Sequence, residues 1–400
     1  MSRRDLLDVA IVGAGVVGAA AALALARDGW QVALVEAREP PRWRADQPDL
    51  RVYAFAPDNA ALLADLGVWP SIIDARAQPY RGMRVWDAAG GDELRFDADV
   101  FGRRELGWIV ENALLVDRLW AALPAAGVRL RCPAQVIALQ QDEGADHAAL
   151  ELDDGTRLRA RLVLAADGGD SKLRTLAGID TYTHDYGQNA LVAFVDHARP
   201  HEATCWQRFL PTGPLAFLPF TGGAGAGGHR SSIVWTLPEA EAARLLQVDE
   251  SGFLRELDNA FAGSLGTLGA VSKRVAFPLR RQLAQAHVAG RVAVIGDAAH
   301  VVHPLAGQGV NLGLRDVAAL RALLLRQRTA SRDPGAPVAL ARWARQRRSE
   351  NAVAAYSFDG LNRLFSNDKL LATLVRGPLL GLVGKLPPLR HALWKHAAGL

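Results

Sequence analysis

A short apolar run, residues 9–12 (VAIV), is followed at once by Gly13-Ala-Gly15-Val-Val-Gly18. An alanine-rich run continues to Arg27, and a second apolar run, residues 31–35, ends in Glu36. Few arrangements restrict a chain so strongly. The two runs read as buried strands, and residues 19–27 as a helix that Gly29 stops. The spacing predicts a βαβ unit with GxGxxG at its first turn. Gly13 permits the tight turn, Gly15 lets backbone approach a pyrophosphate, and Gly18 lets helix and strand pack closely. The helix N-terminus offers unpaired N–H groups and a positive dipole end to phosphates. Glu36, eighteen residues past Gly18, is placed to accept hydrogen bonds from ribose hydroxyls. GxGxxG alone is weak, because Gly-Ala helices produce it by chance. Its position between two strands makes it a dinucleotide site.

Residues 9–26 are also eighteen residues without a charge, the length of a signal peptide or a membrane span. Alanine and glycine dominate the run, so its drive into lipid is weak, and Asp5 and Asp8 stand where a signal peptide wants basic residues.

Two further islands lie beyond apolar runs. Asp154-Gly155 turns an alternating stretch, residues 149–164, and reads as an ordinary hairpin. Asp167-Gly168 follows residues 162–166 but has no second strand after it; Ser171 to Leu176 reads as a helix start. That pattern ends a parallel strand, where open α/β sheets place ligands. The third island, Gly296-Asp297 running to Gly307-Gln308-Gly309-Val310-Asn311, follows residues 292–295 and precedes a helix over 312–327. Each island has a plainer reading: Asp167 as a turn residue, Asp297 as a helix cap. His300 and His303 have HxxH spacing, but a zinc site wants a further ligand nearby and none is visible.

Between the second and third islands, residues 187–280 hold strand-like pieces (190–195, 204–210, 216–220, 231–237), a glycine-rich loop at 222–228 and a helix at 253–261. The fold class expected is α/β: a Rossmann-like nucleotide domain with an inserted antiparallel-sheet substrate domain and a C-terminal helical region. The nucleotide domain takes residues 1–75, 103–180 and 280–337, the sheet domain 76–102 and 181–279, and the helical region 338–400. The chain of 400 residues, half of them hydrophobic, has core enough for this. Two cysteines build no disulfide framework and favour a reducing compartment. GxSxG and the P-loop pattern are absent, which excludes those nucleophile and phosphate-loop families. Nothing points to nucleic acid. Residues 340–400 carry ten Lys/Arg against three acids, while the remainder is net −3. A basic tail is either a solvated helical face or a surface for anionic membrane.

The order of the three islands resembles the single-component flavin monooxygenases of the p-hydroxybenzoate hydroxylase fold. Within them, HPLAGQGVNLGL (residues 303–314) is similar to the ubiquinone-biosynthesis hydroxylase branch. So are LRVYAFAPDNAALLADLGVW (50–69), GWIVEN (107–112), GPLAFLP (213–219), Phe277-Pro-Leu279 and the tail from Pro387 to Gly399. The resemblance implies FAD as cofactor and a visiting NADPH or NADH as reductant, since only one GxGxxG is present. The expected activity is hydroxylation of a polyprenylated phenol with O2 through a flavin C4a-hydroperoxide. It implies that Gly13, Gly15, Gly18 and Glu36 hold the ADP half, and that Arg51 and Asn112 approach the phosphate and ribityl region. Asp297 is expected on the ribityl chain, Gly307 to Asn311 against the isoalloxazine ring, and Asp167 and Arg174 near both coenzymes. Phe217, Pro219, His303 and Pro304 are the expected pocket wall; no catalytic base is nameable. The branch further implies a cytoplasmic protein peripheral on the inner face of the membrane, through its basic tail, and a quinone-biosynthesis complex. Two rivals share the cofactor: a hydroxylase of a small soluble phenol, and a non-catalytic flavoprotein subunit. A halogenase is disfavoured because WxWxIP is absent.

Overall fold

The computed structural model describes residues 6–142, 144–221, 227–302 and 309–365, with His391 and Lys395 from the tail; side chains of the last long helix are described to Tyr356. The expected unit at the start forms: β1 (Leu6–Val12), α1 (Val16–Arg27) and β2 (Val32–Val35), the two strands parallel with Val9 opposite Val32. On its other side β1 pairs in parallel with the strand Arg157–Ala165, Val9 opposite Leu162, and that strand with Val292–Val294. The strands that end at the three islands are therefore neighbours. The eight-stranded sheet is completed by Arg129–Arg131 and Val288–Ala289 at its ends and by the hairpin partners Ala148–Leu152 and Val136–Gln140. Both faces are covered at its parallel centre, so residues 9–12 and 162–165, with Val32–Val35 and Val292–Val294, are buried without alternation.

The alanine run of α1 has a packing reason. Ala19, Ala20, Ala21 and Ala22 are all fully buried, within one core that includes residues of Asn112–Ala122 and Gly309–Thr329. Small side chains let three helices crowd onto one sheet. The uncharged stretch is thus interior, and among the described residues no helix is long and apolar enough to cross a membrane.

The second sheet has nine strands. Its centre is Thr181–His197, seventeen residues long, with Val275–Ala284 on one side and Arg230–Pro238 on the other. Gly213–Pro219, Thr204–Leu210, Gly82–Asp87 and Leu94–Asp97 continue it. Gly82–Asp87 pairs with Thr204–Leu210 in parallel, so the early hairpin at Gly90-Gly91 joins the later sheet. The helices Glu239–Gln247 and Glu250–Phe261 cover one face, burying Leu191, Leu215, Phe217, Ile233 and Trp235. A small third sheet joins Val52–Phe55, Gly107–Glu111 and Ala77–Tyr80. The long helix Pro337–Phe365 packs behind the first sheet through Leu340 and Trp343. From the tail, the ring of His391 lies 5.6 Å from that of Phe101. The fold is mixed α/β, with a helical C-terminal region.

Candidate active site

A cavity of about 980 Å³ opens beyond the carboxyl ends of the first sheet's parallel strands and runs onto the uncovered face of the second sheet. That is at the large end of ligand pockets, about 300–1,000 Å³. Val12, Gly13, Gly15, Glu36, Arg51, Tyr53, Asn112, Asp167, Gly168, Asp297, Gly309 and Val310 all line it. The three islands are tied to one another as well. A Cβ on Gly13 would lie 2.4 Å from the Ala166 carbonyl oxygen, and one on Gly18 1.9 Å from the Gly13 oxygen. Arg174 donates to the Ala298 carbonyl at 2.9 Å.

Gly15 differs from its neighbours. A Cβ there would meet no protein atom within 4 Å, and the residue faces the cavity at the N-cap of α1. Space reserved in front of free helix N–H groups suits a pyrophosphate. Glu36 stands at the end of β2, its Oε2 accepting from Ala14 N at 2.6 Å and its Oε1 from Arg38 N at 3.2 Å. Each oxygen keeps a lone pair for a sugar hydroxyl. Gly309 at the start of the helix Gly309–Thr329 likewise has open space where a side chain would be. The residues therefore fit an extended dinucleotide with a flat ring system at its far end.

The middle of the cavity is polar. Arg51 and Asp297 face each other at 3.9 Å, 57% and 43% exposed. Tyr53 donates its hydroxyl to Asn112 Oδ1 at 3.1 Å, and burial pushes its phenol up to about 12, so it stays a neutral donor. The Arg51 guanidinium sits 5.5 Å from the Tyr53 ring. Nothing in the sequence reading singled out Tyr53, because a tyrosine two residues after an arginine in a strand is unremarkable.

Several expected residues have other partners. Asp167 lines the cavity, but its Oδ1 takes the Ser171 hydroxyl and its Oδ2 the Leu173 N–H at 3.0 Å. It thereby supports the first turn of the helix Lys172–Leu176, whose N-cap is Ser171, while still facing the cavity. Arg174 is buried and does not line the cavity; it holds the third island's loop. Gly18 packs helix against strand. Asn311 is also buried away from the cavity: its Oδ1 accepts from Ala56 N at 3.0 Å and Asn59 Nδ2 at 2.9 Å, and its own amide donates to Ala54 O at 2.8 Å. Gly307, Gln308, His303 and Pro304 lie outside the described residues.

The expected pocket wall needs correcting. Phe217 is fully buried on the helix-covered face, its ring stacked 3.9 Å from that of Phe261. Side chains alternate along a strand, so Pro219, two residues on, shares that face. Neither lines the cavity. The wall comes instead from Ala190, Val192, Val234 and Phe277. Phe277 sits opposite Ala190, and Val192 opposite Val234, on adjacent strands. Phe277 is 45% exposed, unusual for a phenylalanine in a sheet. None of these four side chains is ionisable.

His300, the described half of the HxxH pair, turns away from the cavity to Asp316 at 2.6 Å. Asp316 is fully buried. Burial alone would raise its pKa; His300, then Arg347 and the Gly296 N–H, outweigh that and hold its carboxyl far below the usual range.

The family described as FAD binding domain matches residues 6–336. The ubiquinone hydroxylase UbiL of Rhodospirillum rubrum is 38% identical over the whole chain and 91% of that protein's length. The 3-demethoxyubiquinol 3-hydroxylase of Escherichia coli is 36% identical over 98% of each chain. Among solved structures, the p-nitrophenol 4-monooxygenase PnpA of Pseudomonas putida superposes with a TM-score of 0.76, covering 98% of this chain and 97% of its own. At 18% identity that likeness speaks for the fold alone.

Proposed function

The chain belongs to the FAD-binding-domain family of aromatic monooxygenases, and from that premise we propose that it hydroxylates the ring of a polyprenylated phenol in ubiquinone biosynthesis, using O2 and NADPH or NADH. The names of its relatives support the pathway. One observation supports the substrate class: the cavity joins a polar dinucleotide end to a sheet wall on which Ala190, Val192, Val234 and Phe277 are apolar, while Arg280, further along the strand of Phe277, also lines the cavity and is paired with Asp170 at 2.6 Å. A carboxylate on the substrate ring would find no partner among those four side chains, and the Arg280 guanidinium already has its own carboxylate in Asp170.

When bound, FAD supplies the redox chemistry and the activation of oxygen. The protein's own residues bind, aim and dry the site. Gly15 and the first turn of α1 take the pyrophosphate, and Glu36 the ribose. Arg51, Asn112 and Asp297 hold the middle, with Tyr53 fixing the Asn112 amide. Gly309 and Val310 present a helix N-terminus to the ring system, where the positive dipole end favours added electron density. The apolar wall keeps water from the reacting atoms.

The exposed stripe Val338, Arg342, Arg345, Val353 and Tyr356 recurs at helical spacing on Pro337–Phe365. It supports peripheral contact with an anionic membrane, where a polyprenyl substrate resides. The proposal extends to a quinone-biosynthesis enzyme complex, for which the relatives' shared pathway is the support.

Quinone profiling tests the assignment. A strain lacking this chain is expected to accumulate a polyprenyl intermediate short of one ring hydroxyl; an unchanged quinone pool overturns the pathway. With purified protein, NAD(P)H oxidation should rise when a polyprenyl phenol is added. A flavin that no nicotinamide reduces would favour a non-catalytic subunit instead.

A further inference from the structure

Asp297 enters the cavity from a tight turn, residues 296–300, in which the other four residues are buried. Its direction is set by what grips the turn from behind. Two of those grips meet at one carboxylate oxygen, and a third is separate. Gly296 N–H donates to Asp316 Oδ2 at 3.0 Å, and His300 Nε2 lies 2.6 Å from the same oxygen. Arg174 takes the Ala298 carbonyl at 2.9 Å. Asp316 is in turn anchored at its other oxygen, which accepts from Arg347 Nε at 2.7 Å and Asn351 Nδ2 at 3.1 Å. Arg347 also donates to Asn351 Oδ1 at 2.9 Å. Arg347 and Asn351 belong to the helix Pro337–Phe365, none of whose described side chains lines the cavity.

We propose that Asp316, anchored by Arg347, is a positioning residue for the flavin site: it sets the angle at which Asp297 meets the cofactor, and makes the helix Pro337–Phe365 part of that site at one remove. The physical reason is the geometry of the carboxylate. Its two oxygens face opposite ways, one toward the turn and one toward the helix, so a shift of the helix moves the Gly296 peptide with it. A buried acid with four donors has no slack to absorb the shift. The turn is held from both ends, since Arg174 pins Ala298 independently. With Ala298 fixed by Arg174, the remaining adjustment of the turn's backbone runs through Asp316.

The inference rests on the reading of the cavity as an FAD site with Asp297 among its contacts. The test uses the full-length holoenzyme and compares Arg347→Gln, Arg347→Lys, Asp297→Asn and, as a control on an exposed position of the same helix, Ser349→Ala. FAD dissociation is followed by recovery of flavin fluorescence, and the environment of the bound ring by its visible circular dichroism. Arg347→Gln is expected to weaken FAD about tenfold, within the usual range of couplings between separate sites, and to alter the visible dichroism. Arg347→Lys should restore part of both. A merely structural role lowers the melting temperature but leaves the dichroism of the bound flavin and its dissociation constant alone; that result overturns the inference. Should Arg347→Gln not fold, Asn351→Ala removes one donor from the same carboxylate, and unchanged values there overturn it equally. A change with Asp297→Asn but none with Arg347→Gln sinks this inference only; no change with either removes Asp297 from the flavin site too.

Discussion

One added methyl group means different things at the three glycines of the turn into α1 and its first residues. At Gly13 and Gly18 it collides with backbone at 2.4 Å and 1.9 Å, and Gly13 has φ of +95° as well. Alanine at either is expected to cost the apoprotein at least about 1–3 kcal/mol. At Gly15 the methyl meets only the cavity. Gly15→Ala should therefore melt like the parent without cofactor, yet bind FAD at least tenfold more weakly, since binding, not folding, uses that space. Apoprotein melting and FAD titration on all three variants separate these cases, and equal affinity at Gly15→Ala would contradict the cradle. Phe217 and Phe277 form a second contrast. Phe217→Ala empties a core and should cost about 3–5 kcal/mol. Phe277→Ala, half in the cavity, should leave the melting temperature nearly unchanged and raise KM for the phenol several-fold. The sequence marked the strand GPLAFLP but not which of its faces meets the ligand, because alternation fixes parity and not side. Only the helices Glu239–Gln247 and Glu250–Phe261 decide that, and the first of them was not read from the sequence.

Elements were most legible where a local rule was strict. The βαβ start, the Asp154-Gly155 hairpin and the strand into Asp167 follow from glycine placement and short apolar runs, and each is found within a few residues of its expected bounds. The three-stranded sheet of Val52–Phe55, Ala77–Tyr80 and Gly107–Glu111 was not legible, since its pairs are far apart in sequence and each strand is only four or five residues. The side-chain role of Asn311 was illegible for a related reason: its buried amide satisfies Ala54 and Ala56, some 255 residues earlier, a need that no local pattern announces. The helix Pro337–Phe365 carries its own prediction. Its outward stripe includes Val353 and Tyr356, 55% and 58% exposed, beside Arg342 and Arg345. Flotation with anionic liposomes should succeed at low salt, weaken as salt rises, and fail for Arg342→Glu with Arg345→Glu. Binding that is indifferent to both salt and charge reversal would place the contact elsewhere.

At the scale of the molecule, acid stability has a predictable sign. Burial, the main cause in each case, pulls both His201 and His287 down to about 4. In the unfolded chain a histidine titrates near 6.5. Between those values the unfolded state holds more protons than the folded one, so stability is flat above about pH 6.5 and falls as pH drops toward 4. The slope approaches about 1.4 kcal/mol per pH unit for each histidine. Urea midpoints at pH 7.5, 6 and 5 measure it, and His287→Gln should flatten it in part, since burial lowers His197 as well; a level profile would mean that these histidines are not held neutral. The cavity itself spans this scale, for its walls are drawn from Val12 at one extreme and Val310 at the other. A ribosome partway along the message has built neither a half-strength nor a provisional version of it. Coenzyme loading therefore waits until the chain has been made at least as far as Val310, and in cells short of riboflavin the wall around Phe277 stays open to water until the vitamin arrives.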